Sequence, residues 1–445
     1  MSPGVLIRYL HVAFAVAFLT CVPPDAVRAS DAAHAESHAV HGQLTFVEQW
    51  TSGFNAPYGG PNSLSPNAAQ ETADITLYLG ARLWRGAEVW ANPEIDQGFG
   101  LDDTLGVAGF PSGEAYKVGR SHPYLRLQRL FLRQSIDLPG AAESLAGAAN
   151  QLGGNRAVNR VVFTAGKFGV GDVFDVNQYA HDPRGDFLNW SVIDAGSFDY
   201  AADAWGYTAG AAVEWYQGAW TLRAGFFDLS DVPNGEHLEP GFHEYQGILE
   251  VEKRHLIGTR PGKWAITVFD SRGRMGLLDD AVQLASNTGA PVDIAAVRRF
   301  RSRLGLHLNI EQQISDSVGM FARVGKAAGA VEAYEFTDID RTLSGGLSVN
   351  GIGWKRDADT LGIAAAINGV SAARQRYLAA GGLGILVGDG RLPHPGLEQI
   401  LETYYEATIL LGVQLSVDYQ WIGHPAYNRD RGPASVFGLR IHAQF

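Results

Sequence analysis

Apolar and polar residues alternate along this chain with a period of two, again and again. In residues 72–83, Ala73, Ile75, Leu77, Leu79, Ala81 and Leu83 share one face. Asp74, Thr76, Tyr78, Gly80 and Arg82 occupy the other. That period belongs to a β-strand, whose successive side chains point to opposite faces. After a turn at Trp84-Arg85-Gly86 the polar phase resumes with Glu88, Trp90 and Asn92. Residues 124–134 keep Leu125, Leu127, Leu130 and Leu132 together only if a β-bulge sits near Gln128-Arg129. The same bulge sends Arg126, Arg129 and Arg133 to the opposite side.

Residues 205–216 read as a strand with Trp205, Tyr207, Ala209, Ala211, Val213 and Trp215 on the apolar face and Glu214 opposite. The chain turns at Gln217-Gly218 and returns with Trp220, Leu222, Ala224 and Phe226 against Thr221, Arg223, Gly225 and Phe227. Three further segments alternate in the same way around Leu304, Leu361 and Val413. The last segment sets Phe437, Leu439, Ile441, Ala443 and the terminal Phe445 against Gly438, Arg440, His442 and Gln444.

Such segments number about sixteen, and their connectors alternate between short and long. Short turns fall near 84–86, 217–218, 312–316, 353–358 and 411–412. Long loops span roughly 51–71, 95–122, 169–203, 230–243, 271–298, 370–401 and 423–433. This asymmetry predicts an all-β fold, a transmembrane antiparallel β-barrel of 16 strands with short periplasmic turns and long extracellular loops. A soluble sandwich also has many short strands, but nothing in it sorts connectors by side. Charge at mid-membrane on a lipid face costs roughly 2–4 kcal/mol for Arg, and the apolar phases above carry none. The final strand, Phe445 included, is expected to pair with residues 43–50 and so remove the open edge of the sheet. The Ala/Gly-rich stretch 139–157 falls on the short side and reads as a helical periplasmic insertion.

Composition sharpens this picture. The chain has 54 glycines among 445 residues, 11% aromatics and only 18% charged residues. Its net charge of −12 argues against a nucleic-acid partner. No run reaches the roughly 20 apolar residues of a transmembrane helix. Arg8, the apolar core 12–19 and the small residues Val27 and Ala29 mark a signal peptide over 1–29, cleaved before Ser30. Residues 30–42 follow as a periplasmic segment, and 43–445 form the barrel. The single cysteine, Cys21, lies in the signal and takes any disulfide framework away with it.

No catalytic motif is present: neither G-x-S-x-G, nor H-E-x-x-H, nor a phosphate-binding loop. No cofactor or metal is therefore expected, Asp102-Asp103 and Asp279-Asp280 read as solvated loop acids, and paired carboxylates for glycoside hydrolysis stay open because they need only proximity in space. The polar phases mix signs through Arg82, Glu88, Arg126, Arg129, Arg133, Glu214, Arg223 and Arg440, and they carry Trp90 and other aromatics. Aromatic faces accept sugar rings while Arg and carboxylates bond hydroxyls. These residues are candidate pore-lining or sugar-binding groups. Mutual neutralisation and bracing of the wall is the competing reading for each.

The chain resembles the carbohydrate-selective outer-membrane porins of Gram-negative bacteria. The similar motifs are residues 166–189, GKFGVGDVFDVNQYAHDPRGDFLN, with DYAAD at 199–203 and Gly206-Tyr207, and then 384–405 and 418–445. The resemblance implies sixteen strands, location in the outer membrane, and passive diffusion of mono- or oligosaccharides without catalysis. It implies lipid and the barrel assembly machinery as partners, the latter through Phe445, and leaves a homo-oligomer open. Asp172, Asp175, Asn177, Asp182, Arg184 and Asn189 become candidates for an inward-folded constriction. Lys167 stands where the family usually has Arg. The alternatives are a barrel-embedded hydrolase and a soluble exported sugar-binding protein.

Overall fold

The computed structural model describes residues 35–445. The expected signal segment 1–29 lies outside them. Strands β1 (His38–Thr51), β2 (Ala69–Trp84), β3 (Ala87–Gly98) and β4 (Arg120–Asp137) open the sheet. A small hairpin follows, β5 (Ala142–Leu145) and β6 (Gly154–Ala157). Then come β7 (Arg160–Phe168), β8 (Thr208–Gln217), β9 (Trp220–Asp228), β10 (Tyr245–Ile257), β11 (Arg260–Met275) and β12 (Arg299–Gln313). The chain ends with β13 (Val318–Ala327), β14 (Arg341–Gly351), β15 (Arg356–Gly369), β16 (Glu398–Leu410), β17 (Val413–Gly423) and β18 (Ala434–Gln444). All but β5 and β6 join one closed antiparallel barrel of sixteen strands.

The two-residue period decides which face each side chain takes. Leu125, Leu249 and Leu304 stand 70%, 63% and 57% exposed on the outer wall, whereas Thr76, Glu94, Arg303 and Arg440 are buried inside. Apolar area of this extent, continuous around a barrel, is stable only against lipid. Aromatics edge it at both ends. Trp220 packs edge-on to Trp264 at 5.7 Å beside the short turns, and Trp50 stacks on Phe437 at 5.7 Å beside the long loops. The bulge on β4 occurs where the alternation requires it: Asn92 pairs with Arg129 and Pro93 with Leu127, leaving Gln128 unpaired. Gln128 and Arg129 then both face inward.

Three expectations need correction. Residues 139–157 are a hairpin and not a helix, and their tip, 146–153, turns into the barrel mouth. The small residues there serve close approach: a Cβ on Gly147 or Gly153 would crowd the Glu36 carboxylate. The Gly153 N–H donates to that carboxylate at 2.7 Å, and the Arg82 Nε donates to the Glu36 carbonyl at 2.9 Å. Leu152 is thereby carried to 1% exposure among Tyr78, Trp90 and Phe131. Second, β8 begins at Thr208, so Trp205 and Tyr207 are not on the lipid face. Gly206, at φ +92°, breaks the extension and turns both rings inward. Third, an eighth long connector, 328–340, separates β13 from β14. It lies hidden in the sequence because its acids, Glu332, Glu335, Asp338 and Asp340, interrupt no apolar face.

The last strand closes the barrel. Gln43 pairs with Gln444 and Trp50 with Phe437, in an unbroken register of nine residue pairs. Beyond it, Phe445 exchanges both backbone hydrogen bonds with Gly42, at 3.0 and 3.1 Å. Its ring occupies the space where Gly42 lacks a side chain. Each such bond contributes about 1 kcal/mol net. Deleting Phe445 should lower the amount of heat-modifiable barrel recovered from outer membranes several-fold, with unchanged single-channel conductance in what inserts. Wild-type recovery of the truncated chain would refute this.

Candidate functional site

Loop 169–207, between β7 and β8, folds into the lumen and is clamped there by inward-facing strand side chains. Asp175 receives Arg323 at 3.2 Å, Asn309 at 2.7 Å and the Ala195 N–H at 2.7 Å. Asp199 takes Arg303 at 3.0 Å and the backbone N–H groups of Tyr334 and Glu335. Arg440 donates to the carbonyls of Pro183 and Asp186 at 2.6 and 2.7 Å, and to Glu406 at 3.0 Å. Asn189 caps the single turn Trp190–Ile193 and bonds Gln420 at 3.0 Å. Loop 99–119 is held likewise, with Glu398 accepting the Ala108 and Gly109 N–H groups.

Between these loops and β4 lies a chamber of about 270 Å³. Five aromatic rings, those of Tyr116, Trp190, Tyr200, Trp205 and Tyr207, share it with Arg129, Asp172, Asp182, Arg184 and Glu114. The Arg129 fork donates to both Asp172 oxygens, at 2.8 and 2.7 Å, and its guanidinium stands 4.8 Å over Tyr207. Arg126 stacks 3.3 Å over Trp205. Asp203 lies 2.9 Å from Lys167 and 3.4 Å from Arg126, and its other oxygen accepts the N–H groups of Trp205 and Tyr207. One carboxylate thus fixes both rings and both cations. Arg184 reaches Glu114 at 2.9 Å, with Asp74 and Glu94 at 3.7 and 3.8 Å.

Two more chambers adjoin this one. An outer space of about 80 Å³ shares Trp190, Tyr200 and Trp205 with it. A periplasmic-side space of about 860 Å³, lined by the insertion and the short-turn ends of β7–β11, shares Asp172. The three form a file along the barrel, with the aromatic chamber in the middle.

The candidate residues separate accordingly. Arg129, Asp172, Asp182 and Arg184 line the middle of the file, and Arg126 stands behind it, stacked on Trp205. Asp182 holds the Arg184 backbone, its carboxylate accepting the N–H at 3.0 Å, while the Arg184 guanidinium turns to Glu114. Arg133, Glu214 and Arg223 lie in the periplasmic-side chamber and not the central one. Asp175, Asn177, Asn189 and Arg440 are buried and brace the loop. Arg82, Glu88 and Trp90 hold the hairpin insertion: Glu88 accepts the Trp90 indole at 3.0 Å and the Leu152 N–H at 3.3 Å. Glu114, Trp190 and Tyr200 escaped sequence reasoning as members of the site. Tyr200 lay within a quoted motif, while Glu114 sits in a loop without periodicity. Asp102 ties its loop to the preceding long loop by accepting the Ser65 N–H, and Asp279 pairs with Arg376. Among the described residues no cluster of three metal-ligating side chains occurs.

Charge in the loop follows from these pairings. Burial works against the Asp172 carboxylate, but the Arg129 fork outweighs it and holds the group below the usual carboxylate range. Burial would likewise lower His181. Asp194, 3.5 Å from Nδ1, prevails instead and pushes the imidazole up to about 9. Its Nε2 faces the Gly171 carbonyl at 3.1 Å, so both ring nitrogens meet acceptors and the imidazolium fits.

The sequence profile of the family described as carbohydrate-selective porin, OprB family, matches residues 62–445. No curated protein matches the chain. Among solved structures, the high-pH form of OprB from Pseudomonas putida is similar with a TM-score of 0.69 and 16% identity, over 92% of this chain and 94% of that one. The outer-membrane channel DcaP of Acinetobacter baumannii has a TM-score of 0.49 and 11% identity, over 92% of this chain and 97% of that one.

The His181 pairing gives the loop a pH dependence of definite sign. The folded value lies above the unfolded one of about 6.5, so the stabilisation is complete below about pH 6.5 and is lost as pH rises through about 9. Proteolytic nicking of loop 169–207 should accelerate between pH 7 and pH 10 in the wild type. His181→Gln should nick faster already at pH 7 and change less with pH. Identical pH profiles for the two proteins would rule the pairing out.

Proposed function

This chain belongs to the OprB family of carbohydrate-selective porins, and we propose that its central chamber is the step at which sugars are sorted. The family and the sixteen-stranded barrel make it a carbohydrate channel of the Gram-negative outer membrane. In our reading, transport is passive. Mono- and oligosaccharides pass from the long-loop side, through the aromatic chamber, into the wide periplasmic-side space. We read Phe445 as the signal recognised by the barrel assembly machinery.

The observation that carries the sorting step is the pairing of ring faces with pinned charges. Trp205 and Tyr207 back the chamber, each with a guanidinium over its ring, and the half-buried rings of Tyr116 and Tyr200 complete an aromatic lining for the C–H side of a pyranose. Arg129 and Asp172, locked to each other, present donors and acceptors at fixed positions for its hydroxyls. Because Asp203 holds the backbone of Trp205 and Tyr207, these ring faces keep their spacing without a ligand. Preorganisation of this kind lowers the cost of binding. The binding remains shallow, since each protein charge already has a partner and surrenders none on contact with a neutral solute. A channel needs that balance, favourable enough to admit a solute and weak enough to release it.

The purified protein in liposomes should admit glucose-sized sugars, and glucose should block its ionic conductance in planar bilayers. Trp205→Ala should raise the sugar concentration for half-block about 3- to 10-fold, the equivalent of roughly 0.5–1.5 kcal/mol of ring contact. Block unchanged in this variant would place the sorting step elsewhere. A protein that forms no pore would remove the reading altogether.

A further inference from the structure

The periplasmic-side chamber has more positive charge than its acids can answer. Its acids are all taken. Asp172 belongs to Arg129, Glu214 lies 3.0 Å from Arg223, and Glu252 is shared between Arg223 at 3.0 Å and Lys263 at 3.6 Å. Glu311 faces Lys263 at 3.7 Å and accepts the Gln178 N–H at 2.7 Å. Three arginines on the same wall are treated differently, because they are oriented by backbone carbonyls. Arg133 donates through Nη1 to the Asn150 carbonyl at 2.7 Å. Arg160 donates through Nη1 to the carbonyls of Ala157 and Val158 at 3.1 and 3.2 Å, and Arg254 through Nη2 to that of Gly218 at 2.9 Å. The carboxylate nearest to any of the three is Glu143, 3.6 Å from Arg160 and nearer to Arg156 at 2.7 Å.

A carbonyl fixes a guanidinium without neutralising it. Arg133 and Arg160 each spend only Nη1, which leaves the Nε–Nη2 edge without an acceptor among the described residues. That edge is the one that grips a carboxylate with two parallel hydrogen bonds. Arg160 is further held flat on the Tyr216 ring, 3.8 Å from its centroid. The hairpin insertion builds the arrangement, since Asn150, Ala157 and Val158 supply the carbonyls. This surplus of cations occurs in a chain whose net charge is −12, so it is local and runs against the overall balance.

We propose that the periplasmic-side chamber is an anion subsite for sugar acids, hexoses carrying one carboxylate, with Arg133 and Arg160 as its carboxylate receptors. The assignment rests on the sugar-channel reading, because the same solute must first pass the aromatic chamber. There its ring is sorted by Trp205 and Tyr207. Its carboxylate then moves on to the unneutralised guanidinium edges, which draw the anion toward the periplasm.

The test compares glucose with glucuronate in liposomes carrying the full chain, and measures reversal potentials in a KCl gradient. The wild type should prefer anions and admit glucuronate at least as fast as glucose. Arg133→Ala combined with Arg160→Ala should slow glucuronate about tenfold, change glucose less than twofold, and abolish the anion preference. Heat-modifiable gel mobility confirms that the variant is a closed barrel, and the Arg→Lys pair, keeping charge but losing the fork, should restore glucuronate in part. If glucose enters and glucuronate does not, the anion subsite is wrong and the sugar channel stands. Equal slowing of both solutes in the Ala pair also overturns the subsite. Exclusion of both solutes by the wild type overturns the sugar channel itself.

Discussion

The interaction on which the structure depends is the buried hydrogen bond between a lumen-facing strand charge and the backbone of an infolded loop. A sixteen-stranded barrel is too wide for its own side chains to fill. Something must occupy the interior, and that filling brings unpaired N–H and C=O groups that cost free energy unless they are bonded. Here the strands answer with carboxylates for the N–H groups and guanidinium groups for the carbonyls. Glu402 on β16 accepts the N–H groups of Leu188 and Asn189, and Arg440 on β18 sits between Glu406 and two loop carbonyls. Removing one member of such a buried network leaves an uncompensated charge and costs about 3–5 kcal/mol. The loop is thereby tied to the wall behind it.

That dependence explains what was legible in the sequence. The barrel was legible because lipid and lumen impose opposite demands on successive residues, and a period of two survives in every strand. Even the β4 bulge could be read, since Leu125, Leu127, Leu130 and Leu132 have no other way to share a face. The Trp205–Tyr207 pair was misread for the same reason: aromatic residues two apart obey the strand rule equally well when a loop carries them. Only the positive φ of Gly206 separates the two cases, and a glycine between aromatics does not announce its dihedral angle.

The site was less legible because its members come from elements far apart in sequence and facing no common period. Arg129 and Asp172 meet across 43 residues, and Arg184 reaches Glu114 in a different loop. A list of inward-facing charges cannot tell those that line the path from those that brace it. Arg440 and Arg129 look alike in the alternation. Arg440 spends its donors on loop carbonyls and Glu406 and is 1% exposed, whereas Arg129 holds one carboxylate at the edge of a chamber. The distinction lies in the partner, which the sequence does not display.

Filling the barrel from both ends also determines how long the narrow part is. The long loops descend from one side and are pinned through Asp175, Asp199 and Glu402. The hairpin insertion rises from the other, pinned through Glu36, Arg82 and Glu88. Had either alone filled the lumen, the constriction would run most of the barrel's length, and a solute would exchange its hydration for protein contacts over that whole distance. Meeting near Phe131 and Asp172 instead, the two fillings leave one short aromatic chamber of about 270 Å³ that opens into a periplasmic-side space of about 860 Å³. A short constriction lets a few well-fixed groups discriminate, and the solute regains its water in the wide space beyond. This is why the ring faces and the locked Arg129–Asp172 pair are concentrated at a single level of the barrel and not distributed along its wall.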